Sequence, residues 1–200
     1  MNHALYDAAL VRISELFNRD ATGHDVHHTL RVYRMAMRLA EAEDADRELV
    51  GLAAMLHDAD DPKLFGPENG LRNARAFMAE HHVPAAKIEV VCTIIGEVSF
   101  SKNGSNRPST IEGKVVQDAD RLDAIGAIGI ARTFAFGGNR GRAIHDPEDA
   151  EGTSIAHFHE KLLKLKNLMN TDEAKRIAEA RHRFMEEFLQ EFEEEWDGVD

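Results

Sequence analysis

The 200-residue sequence has few of three residue types, with one cysteine, five prolines and one tryptophan. The lone Cys92 excludes an intramolecular disulfide and a metal site built on several thiolates. No apolar run approaches membrane-spanning length, and the N-terminus carries acids where a signal peptide needs an apolar segment. The sequence therefore predicts a cytoplasmic protein without a membrane partner.

Basic surface is also scarce. The formal net charge is −12, and eight acids with no Lys or Arg fall between residues 186 and 200. Nucleic-acid binding needs a basic surface, so nucleic acid is not a predicted partner. Between residues 102 and 142, however, seven bases stand against four acids. This distribution is compatible with a locally basic cleft for a small anionic substrate, and a homo-oligomer is left open.

Apolar residues recur every three or four positions along most of the chain, which is typical of amphipathic helices. Period-2 alternation is too short for a dependable strand, although β-branched residues between 90 and 95 leave a strand open there. Gly126 and Gly129 predict a break in a long helix, and the aromatic stripe of the last helix predicts core packing. We expect one all-α domain over residues 1–200. The predicted helices cover approximately residues 4–17, 26–40, 49–56, 69–81, 84–95, 111–136, 154–168 and 171–196.

Three clusters of imidazole and carboxylate groups suggest one divalent-metal site assembled by folding. They lie at residues 24–28, 57–61 and 118–123. These side chains bind borderline and hard divalent cations without any thiol. Each cluster alone also fits a solvated surface or a helix end. Together they lie beside apolar helix faces, where buried carboxylates need a cation or hydrogen bonds.

The order of these motifs resembles the HD-domain metal-dependent phosphohydrolases. The matching elements are His28 with Arg31-Val32 three residues later, the doublet His57-Asp58, and Asp120 within Ala119-Asp120-Arg121-Leu122. Residues 99–101, 112–114, 118–132, 136–138 and 157–163 resemble a subgroup of small stand-alone bacterial HD proteins that includes nucleotide pyrophosphohydrolases. The resemblance covers about residues 23–196. It implies a single-domain helical bundle with a metal-site core at about 23–135 and C-terminal helices at about 153–197.

The resemblance also implies the roles of individual residues. The metal ligands would be His28, His57, Asp58 and Asp120. Mn²⁺ is the first candidate ion, with Mg²⁺, Fe²⁺ and Co²⁺ as alternatives, because two imidazoles and two carboxylates leave coordination positions open. Asp61 stands where the family's guanosine-tetraphosphate hydrolases have a catalytic Glu. A helix-end cap is an equal alternative for Asp61.

The other candidates lie outside the minimal motif. His24 and Asp25 would support catalysis, either by orienting the ligands or by contacting phosphate. Substrate phosphates would be bound by cations, among which Arg121 comes first because it follows a candidate ligand and because Arg suits bidentate phosphate contacts. The candidate cations are Arg121, Lys102, Lys114 and Arg132.

The expected activity is metal-dependent hydrolysis of a small phosphorylated substrate, namely a nucleoside triphosphate cleaved to monophosphate and pyrophosphate. A nucleotide phosphomonoesterase is an alternative from the same class. A di-iron HD-type oxygenase is an alternative from another class, and it would recruit His24, His81 or His82 as extra ligands. A metal-binding regulatory protein without turnover is the third alternative. The sequence does not name the substrate.

Overall fold

The protein is mainly helical in the residues that this computed structural model describes, which are 3–17, 26–61, 65–66, 70–98, 107–148 and 151–199. None of these residues lies in a β-strand, so the expected all-α fold is confirmed, and residues 90–95 belong to a helix. No helix within these ranges has the length and apolar character needed to cross a membrane. The chain divides into two compact units, residues 1–119 and 120–200.

The first unit contains five complete helices among its described residues and most of a sixth. They are α1 (His3–Leu16), α2 (Val26–Ala42), α3 (Arg47–Leu56), α4 (Arg72–Glu80), α5 (Ala85–Val98) and α6 (Ile111–Asp123). The boundary between the units falls inside α6, after Ala119.

Helix α3 forms the centre of the first unit. Every residue from Val50 to Leu56 is buried, and α1, α2 and α5 all pack against this helix. A helix that is apolar all round is stable only when its neighbours cover it. Its start is fixed by Asp46, whose carboxylate accepts hydrogen bonds from the backbone N–H groups of Glu48 and Leu49. The core therefore holds the C-terminal end of α3 in one position.

The second unit continues from the last turn of α6. Its other elements are α7 (Gly126–Asn139), α8 (Ser154–Glu160), a 3₁₀ helix (Leu162–Leu168) and α9 (Asp172–Asp197). Helix α7 runs on to Asn139, past the predicted end at residue 136. The predicted helix over residues 154–168 is interrupted at Lys161, whose φ of −134° is not helical.

A sharp turn separates α6 from α7 at the predicted break. Ile125 is extended, with φ −127° and ψ 162°, and Gly126 has a positive φ of 77°. Gly129 approaches the preceding chain so closely that a Cβ atom there would lie 2.3 Å from the carbonyl oxygen of Ala124. Glycine at both positions is what allows the chain to turn this tightly.

The aromatic stripe of α9 is half-buried in its middle and exposed near its two ends. The ring centroid of Phe188 lies 5.9 Å from those of both Phe134 and Phe158. Phe184 and Trp196, near the two ends of the stripe, are each 49% exposed. The predicted core packing is therefore found in part at Phe188, which is half-buried against the fully buried Phe158, and it is wrong for Phe184 and Trp196.

Candidate metal centre

The buried end of α3 carries the central His-Asp doublet. The helix ends at Leu56, and His57 is its C-cap residue. The backbone N–H of Ala59 then donates to the carbonyl of Leu56 at 3.1 Å, and that of Asp61 donates to the carbonyl of Asp58 at 3.0 Å. We call residues 57–61 the HD turn. These two hydrogen bonds fold it tightly onto the end of the helix.

Helix α2 brings His28 to the HD turn, because α2 packs along α3. The Nε2 atom of His28 lies 3.3 Å from Nε2 of His57 and 3.4 Å from Oδ2 of Asp58. The same Asp58 oxygen lies 3.3 Å from Nε2 of His57. The side chains of His28, His57 and Asp58 are 2%, 3% and 15% exposed, respectively. Three potential ligand atoms thus form a nearly equilateral triangle in a largely buried place.

The orientation of His57 is set by the helix that carries it. Its Nδ1 lies 2.9 Å from the backbone carbonyl oxygen of Ala54. A carbonyl oxygen can only accept, so Nδ1 carries the hydrogen and donates it. The Nε2 atom then has a lone pair that points toward His28 and Asp58. Metal-binding histidines are commonly oriented by such a bond from the second ring nitrogen.

The spacing of the triangle fits a divalent metal ion. Two ligand atoms, each about 2.1 Å from one ion, are about 3.4 Å apart in tetrahedral and about 3.0 Å apart in octahedral coordination. The separations of 3.3 and 3.4 Å within the triangle fall in this range. Two imidazoles favour Mn²⁺, Fe²⁺, Co²⁺ or Zn²⁺ over Ca²⁺ or Mg²⁺, which prefer oxygen ligands. The donor set and its spacing therefore suit a transition-metal ion.

The third acidic cluster lies on α6. Asp120 follows directly after the buried Ala119 and is partly exposed. Asp118 is fully buried. The carboxylate of Asp123 accepts a hydrogen bond of 2.6 Å from Nη1 of Arg132. The three acids of this cluster therefore occupy different environments, and Asp123 forms a structural ion pair within the second unit.

The predicted phosphate-binding cations differ from one another in burial and in hydrogen-bond partners. Arg121 is 5% exposed, and its Nη1 donates to the backbone carbonyl of Leu168. Arg132 is engaged by Asp123. Lys114 is partly exposed on α6, whereas Lys102 lies outside the described residues. Phosphate binding by any of the four stays a prediction.

Of the three predicted catalytic residues, one lies within the described part of the chain. Asp61 lies at the end of the HD turn and is partly exposed. Its backbone carbonyl accepts a hydrogen bond from the N–H of Phe65 at 3.0 Å. His24 and Asp25 lie outside the described residues. His81 and His82, which the oxygenase alternative would recruit, are exposed in the turn that follows α4.

Sequence reasoning missed one group that orients the site, the backbone carbonyl of Ala54, which accepts the hydrogen bond from Nδ1 of His57. A backbone carbonyl leaves no trace in motif spacing or periodicity, so no pattern of side chains could have revealed it.

Comparison with known proteins identifies the family. The HD domain model matches residues 25–125. The Bacillus subtilis protein YpgQ is 40% identical over 197 residues, which cover 94% of this chain and 92% of YpgQ. The crystal structure of a Bacillus thuringiensis HD-superfamily hydrolase has a TM-score of 0.80 and 43% identity, covering 96% of both chains. The structure of YpgQ in complex with ADP has a TM-score of 0.82 and 37% identity, covering 98% of this chain and 100% of that one. The chain therefore belongs to the HD-domain family and is a metal-dependent hydrolase of the HD superfamily.

Proposed function

We propose that this protein hydrolyses a nucleoside triphosphate to the monophosphate and pyrophosphate, with a divalent ion held by His28, His57, Asp58 and Asp120. The observation that carries the proposal is the triangle of His28 Nε2, His57 Nε2 and Asp58 Oδ2, with sides of 3.3 to 3.4 Å. Asp120 is added because it occupies the last ligand position of the family motif. Manganese as the resident ion and a cytoplasmic location are further proposals from the sequence.

The nucleotide substrate is supported by two independent observations. YpgQ, which matches this chain over almost its whole length, has been crystallised in complex with ADP. Residues 102–142 of this chain also carry more bases than acids, although the whole chain is strongly acidic. A polyphosphate tail needs several cations, whereas a single phosphomonoester needs fewer. Both observations favour a nucleoside polyphosphate over a monophosphate.

The residues of the chain would divide the chemistry among them. His28, His57, Asp58 and Asp120 would hold a divalent ion, which would supply Lewis-acid polarisation of a phosphoryl oxygen and activation of water at neutral pH. His57, fixed by Ala54, and Asp58 hold the ligand geometry. Asp61 would accept the proton of the attacking water. As that water bonds to the α-phosphorus, the bond to the α,β-bridging oxygen breaks and pyrophosphate leaves.

A panel of nucleotides tests the proposal. Mn²⁺-loaded protein would be incubated with nucleoside mono-, di- and triphosphates, and released pyrophosphate and orthophosphate would be measured separately. We expect pyrophosphate from triphosphates only. Asp58→Asn would serve as the matched inactive control, because it replaces a ligand oxygen without changing the size of the side chain. Orthophosphate released fastest from monophosphates would instead identify a phosphomonoesterase.

A further inference from the structure

The start of α4 lacks a capping side chain of its own. Its N-cap residue is Leu71, which has a left-handed backbone with φ of 60° and forms no side-chain cap hydrogen bond. The first N–H groups of a helix have no acceptor within the helix and need another partner. A Ser, Thr, Asp or Asn at the N-cap usually supplies it. Leucine cannot, so the acceptor must come from elsewhere in the chain.

Asp60 of the HD turn supplies the missing cap. Its Oδ1 accepts a hydrogen bond of 2.8 Å from the backbone N–H of Asn73, and its Oδ2 accepts one of 2.9 Å from that of Ala74. These are the second and third residues of α4, whose N–H groups a local cap would bind. Asp60 is only 6% exposed. Its buried carboxylate is therefore stabilised by two amides at the positive end of a helix.

The contact is reciprocal. The side-chain amide of Asn73 donates a hydrogen bond of 2.8 Å to the backbone carbonyl of Ala59. The HD turn and the start of α4 are thus joined by three hydrogen bonds through Asp60, Asn73 and their neighbours. We call these three bonds the clamp. They begin at Ala59, the residue directly after the ligand doublet.

We propose that Asp60 is a positioning residue, which through the clamp holds His57 and Asp58 in the geometry that binds the metal ion. This inference rests on the metal site of the proposed function. The doublet is fixed on its N-terminal side by the buried α3 and by the bond from His57 to Ala54. On its C-terminal side, the clamp provides the corresponding restraint. Without the clamp, the ligand atoms would sample positions outside the 3.3 to 3.4 Å triangle.

Asp46 provides a matched control for this proposal. It caps α3 by accepting hydrogen bonds from the N–H groups of Glu48 and Leu49, the second and third residues of that helix. Both carboxylates bind the second and third N–H groups of a helix, but Asp46 is exposed, accepts both hydrogen bonds at Oδ1 and lies at the end of α3 opposite the doublet. Removing either cap should destabilise the fold, whereas only removal of Asp60 should disturb the metal ligands.

The experiment compares Mn²⁺ affinity by isothermal titration calorimetry in metal-stripped wild-type protein, Asp60→Ala, Asp60→Asn and Asp46→Ala. Urea unfolding of each metal-free protein runs in parallel. We expect Asp60→Ala to weaken Mn²⁺ binding about 10- to 100-fold, the usual effect of losing a group that orients ligands. The Mn²⁺ affinity of Asp60→Asn should lie between those of the wild type and Asp60→Ala, because asparagine keeps one acceptor oxygen. Asp46→Ala should bind Mn²⁺ as the wild type does.

Several results would overturn the proposal. Wild-type affinity in Asp60→Ala would show that the clamp does not position the ligands. An equal loss of Mn²⁺ affinity in Asp46→Ala would assign the effect to general destabilisation of the fold. Mn²⁺ binding by Asp60→Asn that is as weak as binding by Asp60→Ala would assign the effect to the charge of the carboxylate. If Asp60→Ala does not fold, unchanged affinity in both Asp60→Asn and Asn73→Ala overturns the proposal. Wild-type protein that binds no Mn²⁺ would instead refute the proposed metal site itself.

Discussion

Alanine substitutions at three glycines of α7 should change stability by different amounts and in opposite directions. Gly129→Ala places a Cβ atom 2.3 Å from the carbonyl oxygen and 2.6 Å from the carbonyl carbon of Ala124. Backbone atoms cannot rotate away as a side chain can. We therefore expect a loss of about 3 kcal/mol in the free energy of unfolding, at the top of the usual range for overpacking. In a chain of this size that loss lowers Tm by about 6 to 12 °C.

At the other two glycines, the change in stability on substitution by alanine has a different cause, and at one of them it has the opposite sign. Gly126→Ala forces alanine into a φ of 77°, which costs about 1 to 2 kcal/mol, and it also meets the flexible stem of Arg181 at 3.0 Å. At Gly138, a Cβ atom would meet nothing within 4 Å. Alanine is a better helix former than glycine, so Gly138→Ala should stabilise the protein by about 0.5 kcal/mol.

Urea unfolding followed by tryptophan fluorescence measures these differences. The single tryptophan, Trp196, lies in the same unit as the three glycines and stacks on Phe192. The expected order of stability is Gly138→Ala, wild type, Gly126→Ala, Gly129→Ala. A Gly129→Ala variant as stable as the wild type would refute the close approach to Ala124. A large loss in Gly138→Ala would show that the surroundings of Gly138 are not open.

Three further predictions concern the proposed metal ligands, Asp61, and His157 of the second unit. His57→Ala and Asp58→Ala should each lose metal retention and hydrolysis together. Metal analysis of each variant beside the nucleotide assay would check this, and full metal content with normal turnover would contradict the ligand assignment. Asp61→Asn should keep the metal but lose about 10²- to 10⁴-fold in rate, the usual worth of positioned proton transfer, whereas a near-wild-type rate would favour the helix-cap role. Burial, followed by the nearby charges of Lys161 and Arg142, lowers the pKa of His157 from its usual 6.5. Because the unfolded chain then binds the proton more readily than the folded chain, the free energy of unfolding should fall as pH drops below about 6.5. Urea unfolding at several pH values should show that His157→Gln has lost part of this acid sensitivity.

The sequence was most informative where local patterns determine structure. Helical periodicity located the helices, and Gly126 with Gly129 located the break between α6 and α7. The doublet His57-Asp58 could be linked to His28 because the motif order resembled a known family. Periodicity alone would not have chosen these residues from the eleven histidines of the chain. The family resemblance therefore supplied the pairing, and the packing of α2 against α3 explains it physically.

The sequence was least informative where tertiary contacts decide the role of a side chain. Nothing local indicates that Leu71 leaves α4 without a cap or that Asp60 supplies one. Arg121 follows a candidate ligand in sequence, yet it is buried and donates to the carbonyl of Leu168, which is far away in the chain. The half-exposed Trp196 likewise could not be separated from the core positions of the stripe by spacing alone.

Anomalous X-ray diffraction from crystals of the Mn²⁺-loaded protein would test the central claim most directly. We predict a manganese peak about 2.0 to 2.3 Å from Nε2 of His28, Nε2 of His57 and Oδ2 of Asp58, with the carboxylate of Asp120 completing the protein ligands. A peak bound by other residues, or fully loaded crystals without a peak at this triangle, would contradict the claim that these side chains form the metal centre.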